Sequence, residues 1–123
     1  MSRKPAIKWS KSPSKHDYPA ARAFLSLVFD EKAAAMHVQR LKRAKASEFK
    51  AKDVFRASGL SLLGVSNGHV DRDKRKIKAG RALSPILLVR DAATRRVIVA
   101  DGYHRLCAVY SGDENAVIPC RIV

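Results

Sequence analysis

The stretch VIVADGYHRLCAVY, residues 97–110, opens with β-branched residues and closes on an amphipathic helical pattern. A strand therefore turns into a helix inside it, and Asp101-Gly102 marks the junction. Tyr103, Leu106, Cys107 and Tyr110 recur at i, i+3, i+4 and i+7, so the helix expected over 103–110 buries that face and Cys107 reads as core. The first peptide N–H groups of a helix have no partner within it, and the aligned peptide dipoles add partial positive charge, so an anion is stabilised there. Gly102, lacking a Cβ, allows a ligand close approach. His104 and Arg105 add donors in the first turn, the guanidinium as a planar fork for phosphate oxygens. The same letters also read as an ordinary cap and turn, with the Asp101 carboxylate itself accepting from the helix-start amides.

Upstream, PILLVR from Pro85 and RVIVA are two β-rich runs joined by polar DAATR, so 85–100 reads as a hairpin. Strands this continuously apolar are usually covered on both faces, and the rest of the chain supplies the helices to cover them. HDYPAARAFLSLVF starts a helix at Asp17 or Tyr18, with Pro19 in its first turn and Ala21, Phe24, Leu25 and Val28 as its core stripe. Asp30 caps a second helix, EKAAAMHVQRLKRA, whose stripe is Ala34, Val38 and Leu41; His37 beside it reads as a packing residue. EFKAKDVFRAS, residues 48–58, is a short strand running into a short helix. GLSLLGVSNGHV follows as an irregular loop with a turn at Ser66-Asn67, and its glycines match neither GxGxxG nor GxxxxGK[ST]. A basic helix spans Val70 to Ala79 and stops at Gly80, and VIPCRIV after the SGDENA turn is the last strand.

These elements define an α+β chain: a single domain over 17–123 with an N-terminal helical pair, 17–45, preceded by a basic, proline-interrupted and flexible segment, 1–16. The 123 residues, 46% hydrophobic and 29% charged, suffice for one core without metal or disulfide staples. The longest apolar runs fall far short of the roughly 20 residues that cross a bilayer, and no signal-peptide pattern is present. Cys107 and Cys120 have no metal-ligand spacing, so the expectation is a cytoplasmic protein with reduced thiols and no membrane. The net charge of +14 is unevenly spread: residues 31–81 carry 14 basic and 5 acidic side chains, residues 82–123 carry 5 and 4. That excess concentrates polyanions of any kind, or simply forms a solvated, solubilising face.

LSPILLVRDAATRRVIVADGYHRLCAVY, residues 83–110, resembles the ParB/sulfiredoxin superfamily: a PI-V strand, a hairpin, an apolar strand, then a G-x-[HR]-R box leading into a helix. Partition proteins of that superfamily carry a glycine-acid-arginine-arginine box, sulfiredoxins a Gly-Cys-His-Arg box and ParB-fold free-serine kinases an Asp-Gly-His-His-Arg box. Gly102, His104 and Arg105 match, Asp101 matches the kinase-like form, and the pattern extends over residues 48–123, with no counterpart for the two N-terminal helices. The resemblance implies a small mixed sheet with packed helices, and a nucleotide whose phosphates sit on Gly102, Tyr103, His104 and Arg105. It further implies that the helix before the PI strand lines the site, through Lys74 or Lys78, with Asn67 and His69 as candidates for a base, ribose or second substrate. For the two lysines, exposed solubilising charge is an equal reading.

Departures narrow the expectation. Tyr103 replaces the sulfiredoxin cysteine, so sulfinic acid reduction is not expected. The 18 residues after Arg105 leave no room for the helix-turn-helix domain of a partition protein. Asp91, Asp101, Asp113 and Glu114 form no metal-carboxylate cluster, and no protein-borne metal site is expected. What remains is binding of ATP or another nucleoside triphosphate with Mg²⁺, and, for an enzyme, phosphoryl transfer or nucleotide hydrolysis. Asp101 and His104 are then the catalytic candidates, His104 donating a hydrogen bond or shuttling a proton and Asp101 orienting it or acting as base, while Arg105 stabilises phosphate charge. Two other classes stay open: a non-catalytic nucleic-acid-binding accessory protein using the basic 31–81 region, and a partner-binding module using the N-terminal helices. The last would be marked by Asp101 bonded to the helix-start amides, with His104 and Arg105 in internal pairs.

Overall fold

The computed structural model describes residues 6–64 and 67–123; the turn expected at Ser66 and the first five residues of the basic segment lie outside them. The chain runs α1 Asp17–Val28, α2 Glu31–Arg43, β1 Ala46–Lys50, α3 Ala51–Ser58, α4 Gly68–Lys78, β2 Ile86–Asp91, β3 Arg96–Asp101, α5 Tyr103–Gly112 and β4 Val117–Ile122. This is the expected α+β class, with one mixed four-stranded sheet of order β1-β4-β2-β3 among the described residues. The hairpin partners β2 and β3 are antiparallel, β2 and β4 parallel, and β4 and β1 antiparallel. A parallel pair needs a long connection, and β3 with α5 supplies it between β2 and β4.

Ile86, Leu87, Leu88 and Val89 are all buried because the sheet is covered on both faces. Leu87, Val89 and Ala100 pack with Ala21 and Leu25 of α1 and with Ala34, Val38 and Leu41 of α2. The alternate residues Ile86, Leu88, Val99, Ile118 and Cys120 pack on the other side with Val54 of α3 and Leu106 and Val109 of α5. Strand alternation assigns each helix group its own face. α4 lies further out, against α5, through a small cluster of Val70, Cys107 and Ala108.

Local chemistry sets the helix ends. The Asp30 side chain accepts from the Ala33 amide at 2.7 Å, which caps α2, and Arg40, Lys42 and Arg43 face the negative end of its dipole. Gly80, at φ 72°, takes the left-handed turn after α4; its own N–H donates to the Ile77 carbonyl and that of Arg81 to Lys76. On α1 the expected stripe narrows. Ala21 and Leu25 are fully buried, but Phe24 and Val28 are 44% and 46% exposed, because α1 packs on α2 and the sheet chiefly along one line.

Residues 6–16, expected as part of a loose arm, make defined contacts. Trp9 forms a parallel bridge with Leu83, the Ser10 N–H donates to the Leu83 carbonyl at 2.8 Å, and the Leu83 N–H donates to Lys8 at 2.9 Å. Arg121 donates to the carbonyls of Lys11 and Ala44, both at 3.2 Å. Among the described residues no helix is long and apolar enough to cross a membrane.

Burial on α1 makes a sharp stability comparison. Leu25→Ala should cost about 2–5 kcal/mol in urea unfolding, and Leu27→Ala should change it by less than about 0.5 kcal/mol. Phe24→Ala should cost less than Leu25→Ala although it removes the larger side chain; the reverse order would restore the wider stripe.

Candidate functional site

Asp101 ends β3 and Gly102 is the N-cap residue of α5. Gly102 adopts φ 105°, which side-chain-bearing residues rarely reach. A Cβ there would stand 2.8 Å from the Arg105 guanidinium and 3.1 Å from the Ile86 side chain. The glycine is therefore required by backbone and packing, with Ile86 and Arg105 occupying the space a Cβ would need.

The Asp101 carboxylate does not cap α5. It accepts from Arg105 Nη2 at 2.9 Å, and among the described residues no side chain caps the helix start. The Arg105 guanidinium also lies 3.7 Å from the Asp17 carboxylate, and Nη2 donates to the Pro85 carbonyl at 3.5 Å. Asp17 in turn accepts from the Ser14 amide at 3.0 Å and from the Ser84 hydroxyl. Arg105, expected as an open fork for phosphate, is thus an internal clamp joining the start of α1 to the β3–α5 junction. Its Nε is buried and has no partner among the described residues.

Burial raises the Asp101 carboxyl to about 6, because desolvation outweighs the pairing with Arg105, and the nearby Asp17 charge and a hydrogen bond shared with Asp17 add to the rise. One guanidinium does not fully compensate the buried Asp17 and half-buried Asp101 carboxylates. Asp101 is the one that holds its proton to a higher pH than an ordinary carboxyl, and it is ionised at pH 7.

The start of α5 lines a polar cavity of about 450 Å³. Gly102, Tyr103, His104 and Arg105 form one wall, Arg72, Asp73 and Lys76 of α4 another, and Ser10, Ser14, Asp17 and Ser84 much of the rest. His104 is held below the usual imidazole range by burial and by His69, Arg72 and Arg105, with Asp73 opposing, so it is neutral at pH 7. Its ring lies 4.8 Å from that of His69. Tyr103 packs against the core and donates its hydroxyl to the Ser61 carbonyl, so it shapes the wall with its polar end already engaged.

The other expected residues lie elsewhere. Lys74 and Lys78 line a separate, largely apolar cavity of about 700 Å³ with Ile7, Trp9 and Val109. Asn67 is the α4 N-cap, its side chain accepting from the amides of His69 and Val70 at 3.0 and 3.2 Å. Exposed His69 reaches the site only through its ring contact with His104 and a 3.3 Å contact with Arg72. The sequence reading did not place Asp17, Ser14, Ser84, Arg72, Asp73 or Lys76 in this site, and considered Lys76 only for a nucleic-acid surface. A signal existed for three of them: Val70 and Ile77 mark the inner stripe of α4, and Arg72, Asp73 and Lys76 share one flank of it.

No protein-family model, no curated protein and no solved structure matches the chain. The site therefore rests on its own geometry.

The Asp101 shift fixes a pH dependence. In the folded chain Asp101 keeps its proton up to about pH 6, whereas its ordinary value is 3.8. The folded state then binds more protons across that window, and its stability falls as pH rises through it. Urea unfolding at pH 4.5 and pH 7 should show the wild type losing about 2 kcal/mol more over this interval than Asp101→Asn. Parallel pH profiles for the two proteins would refute the assignment.

Proposed function

We propose that the polar cavity at the start of α5 binds a nucleotide through its phosphates. One observation carries this reading: the start of α5, with no side-chain cap among the described residues, lines a 450 Å³ cavity edged by Arg72 and Lys76. Uncapped amides, the positive end of the dipole and two long cationic side chains together suit a group with several anionic oxygens. The DGYHR box and its likeness to the ParB/sulfiredoxin superfamily support the same assignment. A nucleoside triphosphate with Mg²⁺ is the proposed ligand, and phosphoryl transfer or nucleotide hydrolysis is the chemistry such a site would serve, since both depend on positioning and charge neutralisation. His104, neutral at pH 7, is the candidate to accept a proton from an attacking hydroxyl or water. Arg105 and Asp101 are positioning residues. The buried, unlinked thiols of Cys107 and Cys120 fit a reducing, cytoplasmic setting.

Thermal unfolding tests the reading. ATP, ADP, CTP or GTP at millimolar concentration with Mg²⁺ should raise the melting temperature by several degrees, since a ligand selective for the folded state must stabilise it. Arg72→Ala/Lys76→Ala should abolish the rise while leaving the unliganded melting temperature unchanged. No shift with any of the four nucleotides would overturn the proposal.

Nucleic-acid binding is the second reading, and the fold narrows it. The basic 31–81 region is not one surface: α2 covers one face of the sheet, and α4 lies beyond α5 on the other. Arg72, Arg75, Lys76 and Arg81 do line one hollow of about 360 Å³ on α4. Binding there should weaken steeply between low and moderate salt, and Arg75→Ala/Arg81→Ala should reduce it for every base sequence alike. Salt-independent binding would exclude it.

A further inference from the structure

We infer that Asp73 is the protein ligand of a divalent cation, Mg²⁺ by chemistry, that enters the cavity with the phosphates. The inference rests on the nucleotide reading and assigns a residue that the sequence did not single out. Asp73 lines the cavity from α4 and is 5% exposed. It makes no hydrogen bond or ion pair among the described residues. With the residue this enclosed and its unpaired carboxylate bordering the cavity, a cation or donor entering there would be stabilised. The two other carboxylates of the cavity, Asp17 and Asp101, are already committed to Arg105.

Charge decides between a cation and a neutral donor. The cavity wall carries Arg72, Lys76 and Arg105 against Asp17, Asp73 and Asp101, three of each sign. A nucleoside di- or triphosphate brings several negative charges to this balanced wall, and the helix dipole offers only about half a positive charge. A divalent cation bridging phosphate oxygens and one carboxylate removes the excess. Mg²⁺ favours this arrangement, taking one or two carboxylates, phosphate oxygens and retained waters. Among the described residues no group of three or more His, Cys, Asp or Glu could hold a metal alone. The cation therefore binds with the nucleotide and not before it.

Calorimetric titration of the full chain with ADP, in EDTA and in Mg²⁺, tests this. The wild type should bind ADP about tenfold or more tightly with Mg²⁺. Asp73→Asn, having lost a negative charge, should bind metal-free ADP at least as tightly as the wild type and gain little from Mg²⁺. A merely structural loss would instead weaken binding in both buffers. On wild-type protein carrying ¹³C in its aspartate carboxyls, Mn²⁺ADP added well below equivalence should broaden Asp73 before Asp17 and Asp101, a readout that needs no variant to fold. If ADP binds but the asparagine variant keeps the full Mg²⁺ gain, or Asp73 is not the first resonance lost, Asp73 is not the ligand and the nucleotide site stands. If ADP binds in neither buffer, both fall together.

Discussion

One guanidinium shared by two carboxylates governs the junction. Arg105 joins Asp101, its neighbour one helical turn away, to Asp17, which lies at the start of α1 and is held by Ser14 and Ser84. Asp101 directly precedes the α5 N-cap, and its carboxylate accepts from Arg105 instead of from the helix-start amides. The same guanidinium occupies the space that a Cβ at position 102 would need, so the glycine, the open amides and the position of α1 are consequences of one arrangement. Removing one member of such a buried set leaves the others with uncompensated charge, which is why these residues act as a unit.

The site has a fixed side and an adjustable side. On the fixed side, backbone amides are anchored by Leu106 and Val109, which the sheet buries completely or nearly so. On the other side, α4 offers long basic side chains from a helix that touches the domain chiefly through Val70 and Ile77. Preorganised amides give direction, and the flexible cations give charge. Between them, His104 and Asp73 are close enough for the carboxylate to moderate the imidazole, so protonation and any cation bound at Asp73 would influence one another.

Much of the architecture was legible because it is local. The apolar runs at 86–89 and 97–100, the polar connection between them and the 103–110 periodicity all survive in the structure. Asp30 and Gly80 likewise end their helices as their chemistry dictates. Phe24 and Val28 misled because periodicity gives the phase of a stripe and not its width, which depends on how many neighbours reach the helix. At the site, Gly102 and His104 were visible in the box itself. Asp17, Ser14 and Ser84 were not, since only tertiary folding brings them beside Arg105. On α4 the Val70–Ile77 stripe divides the basic residues into two flanks, Arg72 and Lys76 on one and Lys74 and Lys78 on the other. Which flank meets α5 depends on how the helix is docked, and periodicity carries no information about that.

The edge strand β1 pairs with β4, joining residues 46–50 to residues 117–121. During synthesis β1 therefore emerges long before β4, its strand neighbour among the described residues, exists, and for that interval the edge that β4 covers is bare. Its sequence, ASEFK, holds one large apolar residue among polar and charged ones, a composition that discourages pairing with a foreign strand. The wait for a late-arriving partner thus gives the polarity of this segment a role before the domain has assembled.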